Sequence, residues 1–103
     1  MTRQKVAVVT GSSSGIGRAI AIEFAARGAA ILLHGRSNLA GLEQTVHAIQ
    51  SLEQQPRHPS RIVMADIQCP HAGYALVQAA FAWHGYVNVW VHAAGADVLT
   101  GES

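Results

Sequence analysis

The sequence predicts an α/β fold, a doubly wound parallel sheet sandwiched between helices in three αβα layers, with about four strands in the order 3-2-1-4. Three observations lead there. Short apolar, β-branched runs suited to buried strands recur along the 103 residues. Between them lie stretches whose apolar residues step by three or four, as on a helix with one face against a sheet. The two kinds alternate as βαβαβαβ, which calls for parallel strands, helices on both faces and right-handed crossovers.

Lys5 to Thr10 is the first strand. Glycines follow, and then Ile16, Ile20 and Phe24 recur every four residues, as on one face of a helix that Gly28 ends. Ala30 to His34 is the second strand, and Gly35-Arg36-Ser37-Asn38 is a loop that contains a capping residue for the next helix. In that helix Leu42, Val46, Ile49 and Leu52 form one stripe. Gln54 to Ser60, with Pro56 and Pro59, is a loop, and Arg61 to Asp66 is the third strand. Pro70 suits the first turn of a third helix that carries Leu76, Ala79, Ala80 and Trp83 on one face and stops near Gly85. Val87 to Ala93 is the fourth strand, broken by Gly95. The chain has no repeats and no low-complexity tract.

Length and composition allow one domain, residues 1–103, with a modest core. A net charge of +1 and the lack of any aromatic-basic cluster argue against nucleic acid as a partner, and equally against a membrane surface. No apolar stretch approaches a signal-peptide core or a membrane span, so a cytoplasmic protein is expected. Cys69 is the only cysteine, which excludes an internal disulfide and agrees with a reducing compartment.

The most informative segment is Val6 to Gly17, V-A-V-V-T-G-S-S-S-G-I-G. A strand that breaks into glycines before a helix leaves backbone N–H groups aimed at a pocket, and with the helix dipole they hold a phosphate. Gly15 and Gly17 keep side chains away from an approaching pyrophosphate and from the helix–sheet contact, while Ser12, Ser13 and Ser14 add hydroxyl donors. The bare spacing also arises in an ordinary glycine-serine turn. A buried strand before it and an amphipathic helix after it favour the phosphate loop. In the order 3-2-1-4 that loop lies in the crevice between the first and fourth strands, where a nucleotide sits.

With these residues in place, the chain resembles the N-terminal part of a short-chain dehydrogenase/reductase, a Rossmann-type enzyme family, over nearly its whole length. Thr10-Gly11-Ser12-Ser13-Ser14-Gly15-Ile16-Gly17 matches that family's T-G-x-x-x-G-x-G cofactor loop at every fixed position. The resemblance implies that Asp66 meets the adenine amino group and the Ile67 backbone meets the ring. His92-Ala93-Ala94-Gly95 stands in the place of the family's N-N-A-G motif. There Ala93, Ala94 and Gly95 bring backbone to the cofactor ribose, but two asparagine amides are missing, which puts a family-typical hydrogen bond within the sheet in doubt. An NAD site places Asp or Glu at the end of the second strand, whereas this chain has Arg36 and Ser37. A guanidinium binds a 2′-phosphate that a carboxylate would repel, so NADP(H) is favoured over NAD(H). The plainer reading of Arg36 is a solvated loop residue.

Hydride transfer in this family depends on a Y-x-x-x-K pair and a serine, all beyond the fourth strand. Tyr74 is followed four places on by Gln78, and Tyr86 by Trp90, so both tyrosines are expected to pack rather than react. Ser12 to Ser14 have no histidine base at fixed spacing. The six histidines show no metal-ligand spacing, only His34 and His92 are placed to approach one another, and no metal is expected. The expectation is therefore the NADP(H)-binding part of an oxidoreductase acting on a carbonyl or alcohol, a fragment whose parent is a homo-oligomer and which alone turns nothing over. A non-catalytic nucleotide-binding module and an inactive fragment remain as alternatives. The apolar fourth strand, left as an edge, is expected to favour association.

Overall fold

A computed structural model describes residues 4–52 and 60–93. The elements are β1 (Val6–Thr10), α1 (Gly15–Ala26), β2 (Ala30–Gly35), α2 (Leu39–Gln50), β3 (Arg61–Met64), α3 (Pro70–His84) and β4 (Val89–His92). The strands form a four-stranded sheet in the order β3-β2-β1-β4, all pairs parallel, as the alternation of elements predicts. Val9 pairs with Leu33 and Val91, and Leu33 with Ile62, so the four strand ends lie level at one carboxyl edge. Every residue of β1 and β2 is buried. The outer strands β3 and β4 are half-covered, because each has a neighbour on one side only.

Successive strand residues face opposite sides. Ala7, Val9, Ile31 and Leu33 pack against Ala21 and Ala25 of α1 and against Leu42 and Ile49 of α2. Val8 and Leu32 pack on the other side against Leu76 and Ala80 of α3. The layers are therefore α1 and α2, the sheet, and α3. Asn38 caps α2 as expected, its Oδ1 accepting the Gly41 N–H at 2.9 Å. Pro70 opens α3, and Gly85 closes it in the left-handed conformation at φ 85°.

Four expectations need correction. The fully buried face of α1 is Gly17, Ala21 and Ala25, while Ile20 and Phe24 pack half-buried at the side of the same core and Ile16 lies outside it. Ile16 is 54% exposed, and the larger residues line an open groove with Ala19, Glu23 and Arg27. At the start of that inner face a side chain is excluded, since a Cβ on Gly17 would overlap the Gly11 carbonyl oxygen. β3 stops at Met64, two residues short of Asp66, because its last pairing is with Gly35, where β2 itself ends. β4 begins at Val89, as the Asn88 side chain takes the Val6 N–H at 2.8 Å where strand pairing would otherwise continue. Tyr74 is 66% exposed and does not pack, whereas Tyr86 donates its hydroxyl to the Gln4 carbonyl at 2.6 Å. Residues 54–59 of the expected proline loop lie outside the described residues.

The inner face of α1 yields a test by equilibrium urea denaturation. Ala25→Leu, which overfills the helix–sheet contact, should destabilise by about 1–3 kcal/mol, and Ile16→Ala should cost less than about 0.5 kcal/mol. The reverse ranking would return Ile16 to the core.

Candidate functional site

The segment after β1 is shaped by two left-handed glycines and one close contact. Gly11 has φ 65° and Gly15 has φ 59°, values at which a side chain is strained. Gly17 needs to be glycine for another reason. A Cβ there would overlap the Gly11 carbonyl oxygen and come within 2.7 Å of its carbon. The loop thus folds back on the helix it leads into, and the contact that excludes a side chain at Gly17 is with the protein itself. Ser14 is the N-cap of α1 but makes no side-chain capping bond, and no acidic residue lies in the first turn. Among the described residues no side chain caps the first-turn amides Gly15, Ile16 and Gly17.

What holds the loop in place was not visible in the sequence pattern. Arg18, one residue past the last glycine, bonds the Ser13 carbonyl and reaches across to α2, meeting Thr45 Oγ1 at 3.0 Å and the Gly41 carbonyl at 3.2 Å. Thr45, fully buried, donates its hydroxyl to the Ser12 carbonyl at 2.8 Å. Gly41 lets α2 approach, since a Cβ there would lie 2.5 Å from the Ser13 carbonyl oxygen. On the β2 side, Ser12 exchanges bonds with His34: its N–H reaches the His34 carbonyl at 2.9 Å, and its Oγ accepts the His34 N–H at 3.0 Å. The only sequence signal for these partners is polarity at otherwise apolar positions, as with His34 closing the run A-I-L-L-H.

His34 is 2% exposed. Its Nε2 lies 2.7 Å from the Ala65 carbonyl, which only accepts, so Nε2 carries the proton and Nδ1 accepts the Gly11 N–H at 3.3 Å. Burial pushes this imidazole below its ordinary range, the Ala65 bond draws it partly back, and charge on His92 lowers it further. His92 sits beyond β1, its Nδ1 3.1 Å from Thr10 Oγ1. An imidazole therefore makes a cross-strand contact at the position where the two asparagines are absent.

The other segments singled out in the sequence reach the same edge. Arg36 and Ser37 follow β2, are exposed, and make no hydrogen bond or ion pair with another described residue. Asp66 is exposed, its carboxylate accepting the Gln68 N–H at 3.1 Å, while Ile67 is half-buried against the α3 side of the core. Ala93 ends the fourth strand segment, packed against the α1 side. Ala94 and Gly95 lie outside the described residues. Among the described residues no three His, Cys, Asp or Glu side chains are grouped to hold a metal, and no helix is long and apolar enough to cross a membrane.

The family model for short chain dehydrogenases matches residues 5–102. The chain belongs to the short-chain dehydrogenase family. It is 38% identical over 96 residues to an uncharacterised oxidoreductase of Staphylococcus epidermidis, a match covering 93% of this chain and 38% of that protein. It is 37% identical to 3beta-hydroxysteroid dehydrogenase 1 of Eggerthella lenta, covering 93% of this chain and 35% of the relative. Among solved structures, a metagenomic short-chain oxidoreductase in complex with NADP superposes with a TM-score of 0.74 at 30% identity, over 84% of this chain and 37% of that one. The chain thus spans little more than a third of the length of these short-chain dehydrogenases. Members of the family are oxidoreductases that use a nicotinamide dinucleotide.

The loop geometry makes two predictions for thermal or urea melts. Gly17→Ala should cost about 3 kcal/mol or more, since the methyl meets backbone, whereas Gly28→Ala, with φ 91° and nothing within 4 Å of a Cβ, should cost about 1 kcal/mol. Thr45→Val, which leaves the buried Ser12 carbonyl without its hydroxyl donor, should cost about 1–3 kcal/mol.

Proposed function

We propose that residues 1–103 form the NADP(H)-binding part of a cytoplasmic short-chain oxidoreductase that moves hydride between the cofactor and a small carbonyl or alcohol. The observation that carries this reading is the uncapped first turn of α1, opening beneath a loop that folds only with glycine at residues 11, 15 and 17. Such a turn accepts an anion without displacing any protein partner, which is the fit a pyrophosphate needs. The amides of Gly15, Ile16 and Gly17, with the Ser13 and Ser14 hydroxyls, would bind the diphosphate over the surface left bare by Gly11.

Arg36 and Ser37 would take the 2′-phosphate of the adenosine ribose. Arg36 has no carboxylate partner among the described residues, and β2 ends in Gly35 where an NAD site carries an acid. The NADP held by the metagenomic relative supports the same choice. Asp66 would accept from the adenine amino group, and the Ile67 backbone would meet the ring. Ala93, Ala94 and Gly95 would bring backbone to the ribose nearer the nicotinamide. The bound nicotinamide supplies or accepts the hydride. This chain's residues would bind and orient it, and residues 1–103 contain no Y-x-x-x-K pair that would supply the proton donor. Those residues alone would therefore bind cofactor without turnover, and a homo-oligomeric parent would complete the site.

Separate titrations of NADPH and NADH, followed by nicotinamide fluorescence or calorimetry, check this. NADPH should bind about tenfold or more tighter than NADH, Arg36→Ala should remove most of the difference, and Arg36→Asp should reverse it. Equal affinities that neither substitution changes would contradict the assignment of Arg36.

A further inference from the structure

We infer that His34 is a positioning residue that holds three cofactor-binding segments in register through a neutral imidazole, so that dinucleotide binding is coupled to release of a proton from this ring to solvent. The inference rests on the cofactor-binding reading above and adds to it the group that sets the geometry of the site.

Three contacts carry it. The ring accepts the Gly11 N–H, at the first residue of the glycine loop, and donates to the Ala65 carbonyl, one residue before Asp66. Its own backbone exchanges hydrogen bonds with Ser12 and leads two residues on to Arg36. One residue thus ties the diphosphate loop, the segment proposed for the 2′-phosphate and the segment proposed for adenine, the first and last through its ring. A protonated ring cannot keep both of its contacts. Nδ1 would then carry hydrogen toward the Gly11 N–H, two donors would face each other, and one segment would have to move.

The surroundings reinforce the neutral form. From β4, His92 is the charged neighbour that acts on the ring, and it opposes protonation. Asp66, beside Ala65, is exposed and turned to Gln68, and Arg36 is exposed beyond the end of β2. Cys69, His71 and Tyr74, at the start of α3, are all exposed. On α1, Arg18 is bonded to the Ser13 and Gly41 carbonyls. Burial and His92 both lower the proton affinity of the ring in the folded chain, whereas the unfolded chain takes up the proton near pH 6.5. The folded, binding-competent arrangement is therefore fully present above about pH 6.5 and weakens as pH falls below it.

The test compares wild type with His34→Asn, whose amide oxygen can still accept from Gly11 but cannot be protonated and does not reach Ala65. With NADPH as the probe, the variant should bind about fivefold more weakly at pH 7.5, for one lost hydrogen bond. That ratio should fall as pH drops below about 6.5, because only wild type weakens through this ring. Using a ratio cancels titration of the NADPH phosphate. In the ligand-free wild type, 15N spectra should show the Nε2–H tautomer at pH 7.5, and the Gly11 amide shift should follow the titration of the His34 ring. These spectra test the inference even where His34→Asn does not fold. A pH-independent affinity ratio, an Nδ1–H tautomer, or a Gly11 amide indifferent to the ring would each overturn the coupling alone. No binding of NADPH or NADH by wild type at pH 7.5 would overturn the cofactor reading and the coupling with it.

Discussion

Everything at the carboxyl edge depends on one close approach, the Gly17 backbone against the Gly11 carbonyl. With no side chain at Gly17 the glycine loop closes on the helix that follows, and α1 enters the fold directly over the end of β1. That entry fixes the rest of the helix. Its inner face must continue in small residues, Ala21 and Ala25, and its bulkier residues move to the flank. The same entry sets the start of α1 at the carboxyl end of β1, which lies between β2 and β4 in the sheet. A loop this short on side chains cannot hold its own shape, so its neighbours hold it. Arg18 and Thr45 bind its carbonyls from the α2 side, and Ser12 with His34 does so from β2.

Strand existence, parallel order, the cap at Asn38, the start of α3 at Pro70 and its end at Gly85 were all legible, because each follows from local chemistry: runs of apolar residues, an amide side chain, a ring without N–H, a backbone free to turn left. The inner face of α1 was not legible. A four-residue period marks both Ile16-Ile20-Phe24 and Gly17-Ala21-Ala25, and hydrophobicity ranks the first stripe higher. Only the tertiary requirement for close approach reverses that ranking. Strand ends were misjudged where pairing, a property of two chain segments, decides them: β3 ends with its partner β2, and a side chain of Asn88 displaces the start of β4.

The candidate site shows the same division. The glycine loop, Arg36 and Ser37 were singled out from residue type and position, Asp66 and Ile67 from the family resemblance, and parallel strands bring all their segments to one edge. The groups that hold those segments were not found, since Arg18, Thr45 and His34 act through contacts between residues more than twenty positions apart. The departure at His92 is instructive. The His92 imidazole stands where the resemblance expects an asparagine, and its Nδ1 lies 3.1 Å from Thr10 Oγ1 across the sheet. With His34 on the other side of β1, this member of the family carries two imidazoles beneath its glycine loop.

The central claim, that the first turn of α1 is an anion cradle organised by the glycine loop, is tested most directly by amide NMR of the 103-residue chain during addition of NADP or inorganic pyrophosphate. The account predicts that the largest shifts fall on the Gly15, Ile16 and Gly17 amides, at saturable concentration and with the sheet unperturbed. Saturable shifts elsewhere with these three amides unmoved, or no saturable shift at all, would contradict it.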